Sequence, residues 1–435
     1  MTSPILRSER KVGWSNYFSE WDSPARVAFV THLILILLII AGALLRLRGI
    51  GDPDYFLFDE ELFAKNVHHY LLGLADNNDH PPLGKLLHTP GVLLFGYNAE
   101  GWRFMSLVFG LQSIVLAYYL AKTLFSDARA GLFAAALVAG DGFFIAYSRT
   151  GLIDGILTCL ILWTLLAAVT ARTVWGIAMS AILLGLAMSV KWSAVTAFVP
   201  AAVVILVFRR VPWWTVFIFA LTPMVHLLVW MGGLFLTHQP WEPKALLALM
   251  VKLYRHHLDM AKHSNPLASP WYTWPLFIHP IVVKLSTYGW SSRYASSIPN
   301  LVGGYLSTAL VVALPLTAGV AQVWKRAKTT SRIIFPNELY KPATVLLAGW
   351  LALIFPWIVA RGQYVFFYHY LPSYGFAVVL LAGVLAVWER RHPRWILGFA
   401  ILFLAFFVFF APVWGEFGTT TVKANWRLLF QSWRP

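Results

Sequence analysis

Residues 27–45 read VAFVTHLILILLIIAGALL, a run without one Asp, Glu, Lys or Arg. An apolar run of about 20 residues crosses a ~30 Å hydrocarbon core as a helix. Only a helix or a closed barrel satisfies every backbone N–H and C=O where no water is available. Runs of this kind recur outward from the first, at 102–121, 130–147, 153–170, 174–190, 194–208, 214–236, 298–320, 343–360, 370–388 and 395–412. The pattern predicts an all-α polytopic membrane protein with about eleven transmembrane helices, some short enough to need tilt or local thinning of the bilayer. Composition agrees: the 435 residues are 59% hydrophobic and 12% charged, with mean hydropathy +0.65. A soluble domain carries about 25% charged residues.

The net charge of +15 would point to nucleic acid in a soluble chain. Here the cations are scattered over short loops with no basic stripe, so anionic lipid explains them and nucleic acid is excluded. Lys122, Arg129, Arg172, Arg209, Arg210, Lys325, Arg326, Lys328, Arg332, Arg390, Arg391 and Arg394 share a side with the N-terminus, which itself holds Arg7, Arg10, Lys11 and Arg26. Alternate loops hold Arg149, Lys191 and Arg361, one apiece. The positive-inside rule then puts the N-terminus in the cytoplasm of a multi-pass cell-membrane protein and the C-terminus outside. The first apolar run lacks a signal-peptide cleavage pattern and reads as a retained span. Cys159 is alone within a span, which rules out disulfide frameworks and cysteine metal sites.

Two long loops, 46–101 and 237–299, face outward in this reading. No run between spans is long enough for a soluble domain, so 1–435 forms a single integral membrane domain. The first loop carries Phe58-Asp59-Glu60 and then Asp79-His80-Pro81-Pro82-Leu83-Gly84-Lys85. Residues 60–72 predict an interfacial amphipathic helix with Leu62, Phe63, Val67, Tyr70 and Leu71 on one stripe, Asp59 at the N-cap and Gly73 closing it. The helix dipole favours ionised carboxylates at Asp59 and Glu60, which suits a general base. A solvated cap without chemistry is the alternative. Two prolines stiffen the chain around Asp79 and His80, and a rigid lead into the next helix with a snorkelling Lys85 is the plainer reading there.

Arg103, Arg149 with Asp154, and Lys191 are charges at outer span ends, where they are expensive without a partner. They form either a basic pocket for a phosphate or intramolecular salt bridges, Arg149 with Asp154 and Arg103 with Asp59 or Asp79. Arg361, Tyr364, His369 and Tyr370 place a cation and phenols at another outer helix start, suited to a lipid-linked phosphate or to an aromatic belt. His68-His69 diverge on a helix, and His256, His257, His263 and His279 lack metal-ligand spacing, so no metal is expected.

Together these strings resemble the protein O-mannosyltransferase family, glycosyltransferases of the GT-C fold. The carriers are Phe58-Asp59-Glu60, the 79–85 string with Leu86-Leu87, and Trp102-Arg103 with Ser106 and Phe109-Gly110. Further along come Ser148-Arg149 with Ile153-Asp154, Val190-Lys191-Trp192-Ser193, Ser269-Pro270-Trp271 with Trp274-Pro275, and Tyr368-His369-Tyr370-Leu371-Pro372. The resemblance implies a polyprenyl-phosphate-linked hexose, mannose by that likeness, as donor substrate, Ser or Thr hydroxyls of an exported polypeptide as acceptor, membrane lipid as surroundings, and no metal or cofactor. It implies Asp59 as general base and Glu60 as the group orienting the acceptor. Asp79, His80, Arg103, Arg149 and Asp154 would form the supporting network, and Arg361, His369, Tyr370 and Lys191 the phosphate dock. The loop 237–299 is too short for the β-trefoil module of eukaryotic members, which suggests a bacterial or archaeal type. Glu61 adds a third carboxylate able to share the acceptor contact. The rivals are a related transferase acting on a lipid or envelope glycan, a polyprenyl-lipid flippase or transporter, and a receptor without activity. Transporters place charge near the midplane in two related halves, and no such halves are visible.

Overall fold

The computed structural model describes residues 24–76, 79–260, 262–263, 265–288, 291–325, 337–360, 365–414 and 419–434. Seven helices among them are long and apolar enough to cross a bilayer, and four shorter apolar helices, Ala128–Ala139, Val174–Met188, Trp192–Phe208 and Leu301–Pro315, pack with them. Each apolar run drawn from the sequence overlaps one of these, although 130–147 extends beyond Ala139 into a separate helix. The centre of the bundle is Phe367–Arg391, whose apolar window is 94% buried. Ala25–Leu47 and Pro393–Trp414 lie at the periphery and turn their Leu, Ile and Phe side chains outward, where lipid replaces protein as the apolar solvent.

The 130–147 run is not one helix. It breaks at Gly140-Asp141 into Ala128–Ala139 and Gly142–Tyr147. Asp141 causes the break by capping the second helix: Oδ1 accepts from the N–H groups of Phe143 and Phe144 at 2.9 and 3.4 Å. Its Oδ2 accepts from the Asn300 N–H and the Tyr374 hydroxyl, both at 2.9 Å, which ties three helices together. The carbonyls that the break releases, Val138 and Ala139, accept from the buried Arg46 guanidinium at 3.0 and 3.1 Å.

One element was not foreseen. In the second loop β1 (Val282–Tyr288) pairs antiparallel with β2 (Ser291–Ser296), from Val282 opposite Ser296 to Tyr288 opposite Ser291, with an irregularity between Lys284 and Ser286. The short β3 (Thr419–Thr420) adds to the other edge of β2, so the second loop and the C-terminal segment form one layer. Trp433 Nε1 fastens that layer to the Phe277 carbonyl at 2.8 Å.

Charge collects at the two ends of the central helix Leu371–Arg391, about 30 Å apart at 1.5 Å per residue. At its C-terminal end Arg390 pairs with Asp127 at 2.7 Å and Arg129 with Glu389 at 3.2 Å. At its N-terminal end converge the starts of Glu60–Leu72 and Ile153–Thr170 and the residues just beyond Val174–Met188.

Candidate active site

The first-loop helix runs Glu60–Leu72 with Asp59 at its N-cap and Gly73 left-handed at φ 66°, as its sequence predicts. Phe63, Val67 and Tyr70 are buried, whereas Leu71 is exposed. Asp59 holds the cap position without capping: its side chain makes no bond to the helix. Oδ2 instead accepts from the Tyr368 hydroxyl, 309 residues further along the chain, at 3.0 Å. Phe58 has φ 53°, a left-handed conformation that is a genuine outlier for a bulky residue. Its ring is held edge-on by Phe366 and Tyr368, at centroid distances of 5.5 and 5.9 Å. Burial pushes the Asp59 pKa up, against the Tyr368 hydrogen bond and the Lys191 charge that pull it down, while Asp154 adds to the rise. The dipole effect expected at this N-terminus is therefore outweighed by desolvation.

Glu60 has a different fate. It is fully buried; Oε1 accepts from Arg103 Nε at 2.8 Å and the Gly151 N–H at 2.7 Å, and Oε2 from Arg103 and the Leu57 N–H, both at 2.8 Å. Arg103 spends its remaining donors on the carbonyls of Ile50, Pro53 and Tyr55, each at 3.0 Å. The expected acceptor contact at Glu60 is thus replaced by a rivet, and Arg103 holds Glu60 rather than Asp59 or Asp79. Glu61 is exposed and pairs on the surface with Lys65 at 2.5 Å.

Lys191 lies in an extended residue between Val174–Met188 and the 3₁₀ helix Trp192–Ala197. Its ammonium donates to Asp154 Oδ1 at 2.9 Å and sits 5.1 Å from the ring centre of Tyr368 and 5.9 Å from that of Trp357. The predicted Arg149–Asp154 bridge does not form, because a turn separates the two residues. Arg149 donates to the carbonyls of Leu45, Arg46 and Arg48 at 3.0, 3.1 and 2.5 Å. His369 stacks on Trp357 at 3.8 Å and 7°, and its Nδ1 accepts from the Phe366 N–H at 3.2 Å, which puts the ring proton on Nε2. Tyr370 faces the core, fully buried and bonded to Trp350 Nε1 at 3.1 Å, so it does not reach the site. Residues 367–370 form a 3₁₀ turn, on which Tyr368 and Tyr370 point in different directions. Arg361 and Tyr364 lie outside the described residues.

Asp79 and His80 edge the same region. Asp79 Oδ1 lies 3.4 Å from His256 Nε2, and burial raises its pKa against the nearby His256 and Lys85 charges. The His80 ring stacks on Phe63 at 5.9 Å and faces His257 at 5.5 Å. Burial, then Lys191 and its other cationic neighbours, hold His80 well below the usual imidazole range, so it stands neutral. Lys85 does not snorkel: it is buried, pairs with Asp76 and donates to the His80 carbonyl at 2.9 Å. Asp76 also accepts from Tyr70 at 2.7 Å. The Leu83 N–H donates to the Ser189 carbonyl at 3.0 Å, locking this string to the chain just ahead of Lys191. A Cβ at Gly84 would lie 2.8 Å from Ile153, so only glycine permits this approach beside Asp154.

Sequence reading missed Tyr368 and Asp76 as site-building residues. Tyr368 was within reach, since it precedes His369 in the quoted string; nothing local marks Asp76. Among the described residues no group of three or more His, Cys, Asp or Glu side chains is placed to hold a metal ion.

Residues 79–235 match the family model described as dolichyl-phosphate-mannose-protein mannosyltransferase. Residues 243–433 match that of the C-terminal four-transmembrane region of protein O-mannosyltransferases. The chain belongs to the protein O-mannosyltransferase family. Both matched regions of this family member reach the site: Asp79, Asp154 and Lys191 fall in the first, Tyr368 and His369 in the second, and Asp59 precedes both. A polyprenol-phosphate-mannose–protein mannosyltransferase of Mycobacterium tuberculosis is 31% identical over 199 residues, which is 38% of this chain and 38% of that relative. The enzyme of the same name from Mycolicibacterium smegmatis is 23% identical over 90% of this chain and 91% of its own. The S. cerevisiae protein O-mannosyltransferase Pmt1-Pmt2 complex, solved bound to the sugar donor, superposes with a TM-score of 0.78 at 12% identity over 93% of each chain. ArnT from Cupriavidus metallidurans gives 0.54 at 16% identity, over 84% of this chain and 62% of that one. Both structural likenesses establish the GT-C fold.

Proposed function

We propose that this family member moves a mannosyl group from a polyprenyl phosphate to Ser or Thr hydroxyls of exported polypeptides, with inversion at the anomeric carbon and without a metal or other cofactor. One observation carries the reading: Asp59 is half-buried, is freed from capping, and accepts from Tyr368 beside a Lys191–Asp154 pair. The relatives' name, polyprenol-phosphate-mannose–protein mannosyltransferase, supplies the donor and acceptor classes.

In this mechanism the acceptor hydroxyl gives its proton to Asp59 as its oxygen bonds to the anomeric carbon. The bond from that carbon to the phosphate oxygen breaks, and the polyprenyl phosphate leaves with the electron pair. Lys191, with Arg361 as a second cation, offsets the growing charge on the leaving group. His369 and Trp357 make an aromatic wall beside Lys191. The polyprenyl tail is assigned to an apolar cavity of about 430 Å³ bounded by Met188, Trp192, Leu227, Met250 and Tyr254, since Trp192 also faces His257 at 6.3 Å. The uneven distribution of basic residues supports a cytoplasmic N-terminus and a site on the outer face of the cell membrane.

The test is transfer in detergent with polyprenyl-phosphate-mannose and an acceptor peptide. Wild-type protein should mannosylate the peptide in the presence of EDTA, and Asp59→Asn should do so at least about 10²-fold more slowly. Label entering lipid or glycan but never peptide, when donor is supplied to membranes, would move the acceptor to the envelope. Undiminished transfer by the Asp59→Asn protein would remove the base.

A further inference from the structure

At the opposite end of the central helix a groove runs between Leu301–Lys325 and Pro393–Trp414, floored by Leu371–Arg391. It has a volume of about 510 Å³ and is walled by Leu306, Leu310, Leu381, Leu385, Phe399 and Leu402. Trp388, Arg394 and Trp395 form its mouth. Both indoles are exposed, as expected of side chains at a membrane–water boundary. Arg390 is held by Asp127, but Arg394 at the mouth has no carboxylate partner among the described residues. Gly398 lies on the groove, and a Cβ built there meets no atom within 4 Å. A large side chain at this position would therefore project into the groove without displacing a neighbour.

We propose that this groove binds one acyl chain of an anionic phospholipid whose phosphate is held by Arg394. The length fits: Trp395 to Leu402 spans about 10 Å of helix, within the ~15 Å of a single leaflet. A transmembrane helix of a partner would run the full bilayer and would leave the Arg394 cation at the mouth unexplained. Basic pockets between helices at a membrane surface are suited to anionic headgroups. The bound lipid braces the helix whose far end presents Tyr368 to Asp59.

Native mass spectrometry of the full chain in detergent, with phosphatidylglycerol or phosphatidylcholine added, tests this. One phosphatidylglycerol should be retained at least tenfold more strongly than phosphatidylcholine. Arg394→Ser, which removes the cation, and Gly398→Phe, which fills the space, should each weaken retention at least fivefold. Arg394→Lys should keep most of it, which guards against a variant that merely folds poorly, and the melting temperatures of all three proteins should be recorded alongside. Equal retention of the two lipids, or retention unchanged in both Arg394→Ser and Gly398→Phe, overturns the proposal. So does a dimer without a lipid adduct that Gly398→Phe dissociates, since a second copy would then be the occupant.

Discussion

Asp59 and Glu60 are adjacent in sequence, and both were expected to do chemistry, yet they belong to two differently built regions. The Glu60–Arg103 region is closed: four donors saturate the carboxylate, Arg103 is spent on it and on three carbonyls, and neither side chain is exposed. The Asp59–Tyr368–Lys191–Asp154 region is open: Asp59 accepts one side-chain hydrogen bond, and burial works against its charge. Saturation of that kind fixes geometry, whereas an unsaturated carboxylate with a raised pKa can take up a proton. The rivet fixes the backbone one residue from Asp59.

The sharpest contrast between the two regions is kinetic. Asp59→Asn should cost about 10²–10⁴-fold in turnover, the usual worth of a general base, with donor binding and melting temperature near wild type. Glu60→Ala should do the reverse first: it strands a buried guanidinium and should lose about 3–5 kcal/mol of stability in a denaturation experiment. Arg103→Lys with Glu60 intact should also lose stability, because an ammonium cannot reproduce the planar fork. If Glu60→Gln folded normally but lost turnover as Asp59→Asn does, the division between the regions would be wrong.

Lys191 straddles that division, since it is paired like the rivet but faces the open region. Lys191→Met should lower kcat about 10²-fold, in line with removing one preorganised group from a developing negative charge. It also leaves Asp154 buried without its cation, so the protein should melt earlier. The double variant Lys191→Met/Asp154→Asn should regain the stability and not the turnover. Recovery of both would make the pair purely structural.

What was legible follows the same line. Features set by near neighbours could be read directly: the apolar runs, and the 60–72 helix with its Asp59 and Gly73 ends. Features set by distant partners could not. The ties from Asp141 to Asn300 and Tyr374 are distant, and the β1–β2 hairpin extends to Thr419–Thr420. In the site, Arg149 and Asp154 look like a pair in sequence, but the helix ends at Tyr147 and the next begins at Ile153, so the two diverge. Tyr368 and Tyr370 are equivalent phenols until the 3₁₀ turn sends one to Asp59 and the other into the core.

Tyr368→Phe should have the smallest effect and is the most discriminating on the open region. The Tyr368 hydroxyl stabilises the ionised form of Asp59, so losing it should raise a pKa that burial has already lifted above the ordinary carboxylate value. In the proposed mechanism Asp59 acts as a base only when ionised. The acid limb of kcat/KM should therefore lie above the usual carboxylate range in the wild type, and should move to still higher pH in Tyr368→Phe. On the alkaline side of both limbs the rates should agree within a few-fold. Stability carries the same sign: a carboxyl whose folded pKa is raised binds more protons folded than unfolded, so the fold weakens as pH climbs from the unfolded pKa to the folded one. The Tyr368→Phe protein should lose stability over a wider stretch of pH than the wild type. An acid limb that stays in place, or shifts to lower pH, would mean that the Tyr368 hydroxyl does not tune the base, and that Asp59 is ionised for some other reason.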